Sequence, residues 1–138
     1  MPINRKLQNL MTGLNTKQVS NGGTSGSIPI LYKIAVDGGA TESVSLTVDR
    51  NLEVVDVWSH LLADGGDNSN SLQVLNGTDA ITDAFVTGTA GDKDVVRCGE
   101  IDDAYYKISA GGTLKVTSTS SDDTAPAVHV FVLGYSNP

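Results

Sequence analysis

The side chains able to do chemistry are few and far apart in the chain. Two histidines, His60 and His129, and one cysteine, Cys98, are the only imidazole and thiol groups. A nucleophilic thiol needs a base within hydrogen-bond reach, and no motif couples Cys98 to either His. Its neighbours Val96 and Gly99 read as strand interior, so a buried, inert thiol is expected, and a lone Cys allows no intrachain disulfide. His60 and His129 fall on predicted strands without a ligand-spaced companion and read as packed or half-exposed side chains. Oxygen ligands gather in three places. Asp64-Gly-Gly-Asp-Asn-Ser-Asn has the composition of a calcium loop but lacks the glycine position and the bidentate Glu of an EF-hand. It reads as a turn-rich loop. Asp102-Asp103 and Asp122-Asp123 are adjacent pairs, and adjacent side chains on extended backbone diverge. No G-x-S-x-G, metalloprotease motif or phosphate loop occurs. The expectation is a protein without catalytic residues, metal or cofactor, whose work is attachment.

The elements that must position these residues divide the chain in two. Residues 1–26 hold no aromatic and no acidic residue, only the cations Arg5, Lys6 and Lys17. From Ile28 to Tyr135 short apolar runs alternate with Gly, Asn, Asp and Ser. The formal charge of −7 is split accordingly: the first segment carries +3, and the remainder carries 6 − 16 = −10. An acidic body is a poor match for nucleic acid, which needs clustered Lys and Arg. No apolar run approaches the ~20 residues of a membrane helix, and the basic N-terminus lacks the apolar core of a signal peptide. Synthesis in a cytoplasm is expected.

Residues 1–27 read as an arm. Ile3, Leu7, Leu10, Met11 and Leu14 fall at i, i+4, i+7, i+8 and i+11, one apolar stripe on a 3.6-residue helix. So short a helix is marginal in water and orders only against an apolar partner. Burying the five side chains contributes ~7–15 kcal/mol before ordering costs. Residues 20–27, Ser-Asn-Gly-Gly-Thr-Ser-Gly-Ser, read as a flexible tether. The competing reading is a terminus of no consequence, which has little reason to keep five aliphatics at helical spacing.

Residues 28–138 fit one domain. Fifteen glycines against two Phe and one Trp favour many turns and thin strands. Ile28–Val36 alternates Ile30, Tyr32 and Ile34 with Leu31, Lys33 and Ala35, and Pro29 suits the start of a strand or an edge. Val44, Leu46 and Val48 alternate with Ser43, Ser45 and Thr47. In the longest candidate, Leu52–Leu62, Val55, Val57 and Ser59 oppose Val54, Asp56 and Trp58. An inward Asp56 would need a hydrogen-bond partner such as turn backbone or Arg97. Leu72–Asn76 ends at Asn76-Gly77, a strong turn signal. Ile81 and Phe85 sit one turn apart, suggesting a helical turn within Thr78–Phe85. Val95–Ile101, Tyr105–Ile108 and Thr113–Thr119 are further strands. Ala127–Tyr135 closes the domain with Val128, Val130 and Val132 on one side and His129, Phe131 and Leu133 on the other. About eight strands in two antiparallel sheets, an all-β, jelly-roll-like sandwich, are predicted. A last strand apolar on both faces is usually covered on both, which makes Phe131 and Leu133 candidates for a subunit interface, with a third layer or loop cover as the alternative.

Four stretches carry a resemblance. They are Val54-Val55-Asp56-Val57-Trp58, Leu72–Gly77 with Ala80-Ile81-Thr82-Asp83, Val95–Ala104, and Ala110-Gly111-Gly112-Thr113-Leu114-Lys115-Val116. Over roughly residues 28–135 the chain resembles the small capsid decoration, or cement, proteins of tailed bacteriophages. The resemblance implies a jelly-roll-like body on the outside of the virion, commonly a trimer, whose partner is the major capsid protein. It brings no active site, and the basic arm lies outside it. A carbohydrate- or receptor-binding jelly roll, such as a head fibre, is the alternative, with Trp58, Tyr105 and Tyr106 as its candidate aromatics.

Overall fold

The structure is a computed structural model that describes residues 27–38, 41–63, 69–87, 95–120 and 125–137. The arm stripe Ile3, Leu7, Leu10, Met11 and Leu14 lies outside the described residues, as do residues 64–68 of the Asp64 loop and the pair Asp122-Asp123.

The described residues form strands and no helix. Sheet one is built from β1 (Ile28–Val36), β3 (Asn51–Leu61), β7 (Val95–Arg97), β8 (Lys107–Ile108) and β10 (Val128–Asn137). Its order is β1-β10-β3-β7, with β8 also on β3. Sheet two takes β2 (Glu42–Thr47), β4 (Asn70–Asn76), β5 (Asp79–Ala80), β6 (Phe85–Val86) and β9 (Thr113–Ser120). Its order is β2-β9-β4-β5, with β6 also on β4. All pairings are antiparallel. The chain crosses repeatedly between the sheets, with β4–β6 staying in sheet two and β7–β8 in sheet one, and the last strand returns beside the first, which is jelly-roll topology. The all-β sandwich expected from the sequence is the fold.

Inner-facing side chains explain why the sheets close on each other. Ile34 and Val36 of β1, Val130 and Val132 of β10, Leu72 and Val74 of β4, and Leu114 and Val116 of β9 are all buried. Each belongs to the period-two series of its strand, so the alternation read from the sequence is the alternation of the core.

The longest strand departs from that alternation. Leu133 of β10 pairs with Asp56, but Gly134 pairs with Val54, leaving Val55 without an opposite. This β-bulge resets the parity of β3: Leu52 and Val54 point inward before it, and Val57, Ser59 and Leu61 after it. The expected division of Val55, Val57 and Ser59 from Val54, Asp56 and Trp58 is therefore corrected, since Val54 and Val57 are both buried and Val55 is 45% exposed. Gly134 makes the crossing possible. A Cβ there would lie 2.5 Å from the Glu53 carbonyl oxygen and 2.7 Å from Leu52 Cδ1.

Two further expectations are corrected. Thr78–Phe85 forms no helical turn; it runs as β5, an isolated bridge from Thr82 to Ile101, and the start of β6. Ile81 and Phe85 are both buried, because a spacing of four also keeps one face of an extended chain. The strand expected over Val95–Ile101 is only β7 with the Ile101 bridge, and Tyr105–Ile108 contracts to β8. Asn76-Gly77 does turn the chain, with Gly77 at φ 62°, in the left-handed region that glycine adopts without strain.

Candidate interaction face

The outer face of sheet one is assembled by register. Antiparallel partners directly opposite share a face, so the pairings stack outward side chains into rows. One row runs Lys33, Phe131, Trp58, Arg97; the next runs Ala35, His129, His60, Val95. On the other flank of the first row lie Leu31, Leu133 and Asp56, and beyond them Pro29, Tyr135, Glu53 and Lys107.

The middle of this face is apolar and partly open to solvent. The Trp58 and Phe131 rings stack with centroids 5.5 Å apart and planes 13° from parallel. His129 meets Phe131 edge-on at 6.3 Å. Leu31 is 52% exposed and Val95 59%. Phe131 and Leu133 are half-buried in the midst of the face. A shallow hollow of ≈ 420 Å³ is lined by Asp56, Trp58, Val95, Arg97 and Leu133.

Charges lie beside this surface in pairs. The Asp56 carboxylate accepts hydrogen bonds from the Arg97 guanidinium and from the Val57 N–H, the latter at 2.9 Å. Arg97 was the partner considered for an inward Asp56; the bulge turns Asp56 outward and keeps the pair. That bond holds Arg97 above the ordinary arginine range. Lys107 lies 3.3 Å from Glu53 and 5.3 Å from the Tyr106 ring centre. Tyr106 first, then Glu53, raises its affinity for the proton.

The outer face of sheet two is of another kind. It presents Ser43, Ser45 and Thr47 from β2, Lys115 and Thr117 from β9, and Gln73 from β4, with two apolar members, Leu75 opposite Lys115 and the 56% exposed Val86 opposite Ser71. Hydroxyls and amides that face water need no partner surface.

The remaining candidates resolve individually. Cys98 is buried and its N–H donates to the Val57 carbonyl at 2.9 Å. Burial pushes its thiol up, away from the thiolate a nucleophile requires. Asp102 accepts the Ala104 N–H at 2.6 Å, closing a turn. Asn70, the last residue of the Asp64 loop, is buried and donates to the Pro126 carbonyl at 2.8 Å. Among the described residues no group of three or more His, Cys, Asp or Glu can hold a metal ion. His60 and His129, 69 positions apart in sequence, are cross-strand partners; only the β3–β10 register brings them together. Tyr105 and Tyr106 do not join Trp58. The Tyr106 carbonyl accepts from Val54 N–H, four positions along β3 from Trp58 and so roughly 13 Å away. Among the described residues no helix is long and apolar enough to cross a membrane.

No family model matches the chain, and no curated protein matches it in sequence. Solved structures do. A chain of the acidic stable capsid of Helicobacter pylori bacteriophage KHP30 superposes with TM-score 0.55 at 14% identity, covering 79% of this chain and 88% of that one. A chain of the cyanophage Pam1 capsid asymmetric unit superposes with TM-score 0.54 at 13% identity, covering 83% and 87%. At such identities the likeness is one of fold, a jelly roll of the kind found in phage capsids.

Proposed function

We propose that the protein is a phage capsid decoration, or cement, protein. It binds the outer surface of the head and stabilises the lattice of the major capsid protein. The observation that carries this reading is the apolar outer face of sheet one, set on a jelly roll similar to chains of two phage capsids. Body-to-body contact through Phe131 and Leu133 would form a homo-oligomer, a trimer by resemblance. Each arm would lay Ile3, Leu7, Leu10, Met11 and Leu14 across a neighbouring subunit or a capsid groove. Modest contacts repeated over a lattice attach strongly through multivalency. The protein would be made in the host bacterial cytoplasm and reside on the exterior of the virion.

The test is occupancy on purified heads that lack the protein. A chain cut at Ser20 is expected to bind far less than the full chain; undiminished occupancy sinks the arm's role, and no binding by either chain sinks the proposal. A carbohydrate-binding module is the second reading. It is favoured by one feature, the hollow that sets the Trp58 ring beside the Asp56 and Arg97 hydrogen-bonding groups. A glycan array separates the two.

A further inference from the structure

We propose that the cross-strand pair His60 and His129 makes contact through sheet one dependent on pH: two copies of the chain associate by this face while the imidazoles are neutral and separate when they are charged. This deepens the decoration reading and rests on one part of it, the body-to-body contact through Phe131 and Leu133. It adds a regulation of that contact.

Register puts the two imidazoles side by side. The Leu62 N–H donates to the Ala127 carbonyl at 3.1 Å, which makes Leu62 and Ala127 a hydrogen-bonded pair of β3 and β10. Two steps along, His60 and His129 are the next such pair, and two steps further come Trp58 and Phe131. The Cα atoms of such a pair lie about 5.5 Å apart, and the side chains share one face. Trp58 and Phe131 show the consequence, with ring centroids 5.5 Å apart. Both imidazoles are half-buried, and His129 packs edge-on against Phe131.

The surroundings do not compensate two added protons. From β1, Lys33 flanks His129 diagonally, and from β7, Arg97 flanks His60. Asp56 of β3 is held by Arg97 in its own ion pair. Asp37 and Glu42 stand at the corner beyond Val36, where the Asp37 N–H donates to the Glu42 carboxylate at 2.8 Å. Among the described residues neither imidazole has an ion-pair partner. Histidine is the side chain whose charge changes between pH 5 and 8. Like charges directly opposite on a sheet repel.

Charge also selects a second copy as the occupant. Residues 27–138 sum to −10, so two bodies repel over most of their surface. On this face the acids within the rows each hold a cation, Asp56 with Arg97 and Glu53 with Lys107. Between those pairs lie Leu31, Leu133, Phe131, Trp58 and Val95, an apolar centre that another copy can cover without meeting unpaired acid. Each copy brings its own histidine pair, so protonation places four cations in one buried contact. Desolvation and the facing cations disfavour the charged form there. Protons therefore bind preferentially to separated subunits. Association is whole above the histidine range and is lost as pH falls through it.

Sedimentation velocity of the full chain at pH 7.5 and pH 5.5, without heads, tests this on wild type and on His60→Gln/His129→Gln. Far-UV circular dichroism at both pH values checks that the body stays folded, and the two single variants serve if the double variant does not express. The wild-type association constant is expected to fall about tenfold or more at pH 5.5 and to recover on return to pH 7.5. The double variant should associate equally at both, and each single variant should lose part of the dependence. Leu133→Lys should abolish association at pH 7.5. Equal pH dependence in wild type and the histidine variants overturns the proposal and leaves the body-to-body contact standing. A wild type that is monomeric at both pH values, or a Leu133→Lys variant that still associates, overturns the proposal together with that contact. Because no heads are present, either result is distinct from failure to bind them.

Discussion

The two outer faces of the sandwich share one core and differ in almost everything else. β9 turns Val116 inward and Lys115 and Thr117 outward; β10 turns Val130 and Val132 inward, yet its outward residues are His129, Phe131 and Leu133. A two-sheet core asks only for apolar residues on the inner positions. Sheet two meets that requirement and adds Leu75 and Val86 to an outer side that is otherwise mostly polar. Sheet one exceeds it, and the excess lesson is about contact: each Leu, Val or Phe removed from water contributes about 1.5–3 kcal/mol, a gain the outward side chains of sheet one realise only against a partner.

The comparison can be broken from the inside out. Leu114→Ala, in the core beneath both faces, is expected to cost about 2–5 kcal/mol, measured by urea unfolding. Both sheets should be lost in one transition, and separate transitions would mean that the faces do not share a core. Gly134→Ala is next. The added Cβ meets the Glu53 carbonyl at 2.5 Å, a backbone contact that cannot rotate away, so a loss of about 1–3 kcal/mol is expected. An unchanged urea midpoint would mean that the bulge does not depend on this close approach.

Smaller effects sharpen the contrast between faces. Leu31→Lys and Thr47→Lys each place a charge on the edge strand of one sheet. Neither should move stability by more than about 0.5 kcal/mol. Only Leu31→Lys should reduce self-association in light scattering, and equal behaviour of the two variants would erase the distinction. Cys98 gives the smallest effect. Its folded thiol holds its proton above the pH at which the unfolded thiol releases it. The corresponding stability is whole below the ordinary thiol range, about 8.5, and declines as pH rises through the higher folded value. Iodoacetamide should label Cys98 slowly in the native protein and quickly in urea; equal rates would place the thiol in solvent.

Much of the fold was legible because period-two patterning is a local signal. β1 has the bounds Ile28–Val36 expected from its alternation, and the one-sided strands of sheet two are those predicted. What the sequence did not disclose depends on a second strand. The bulge at Val55 is created by the approach of Gly134 to Glu53, eighty-one positions apart along the chain. Nothing within Leu52–Leu62 marks it. The helical turn expected at Ile81 and Phe85 failed because four is an even spacing, equally at home on a strand. The face itself was half visible: Phe131 and Leu133 were identified from a strand apolar on both sides. Trp58 and Val95 become their neighbours only through register, and the sequence groups Trp58 with Tyr105 and Tyr106 instead.

The most direct measurement is co-sedimentation of full-length protein with purified heads that lack it, wild type against Leu31→Lys/Val95→Lys and against Thr47→Lys/Thr117→Lys. Attachment through sheet one predicts that the first pair of charges strips the protein from the heads while the second leaves occupancy at the wild-type level. Heads that retain the Leu31/Val95 variant as fully as the wild type would contradict it.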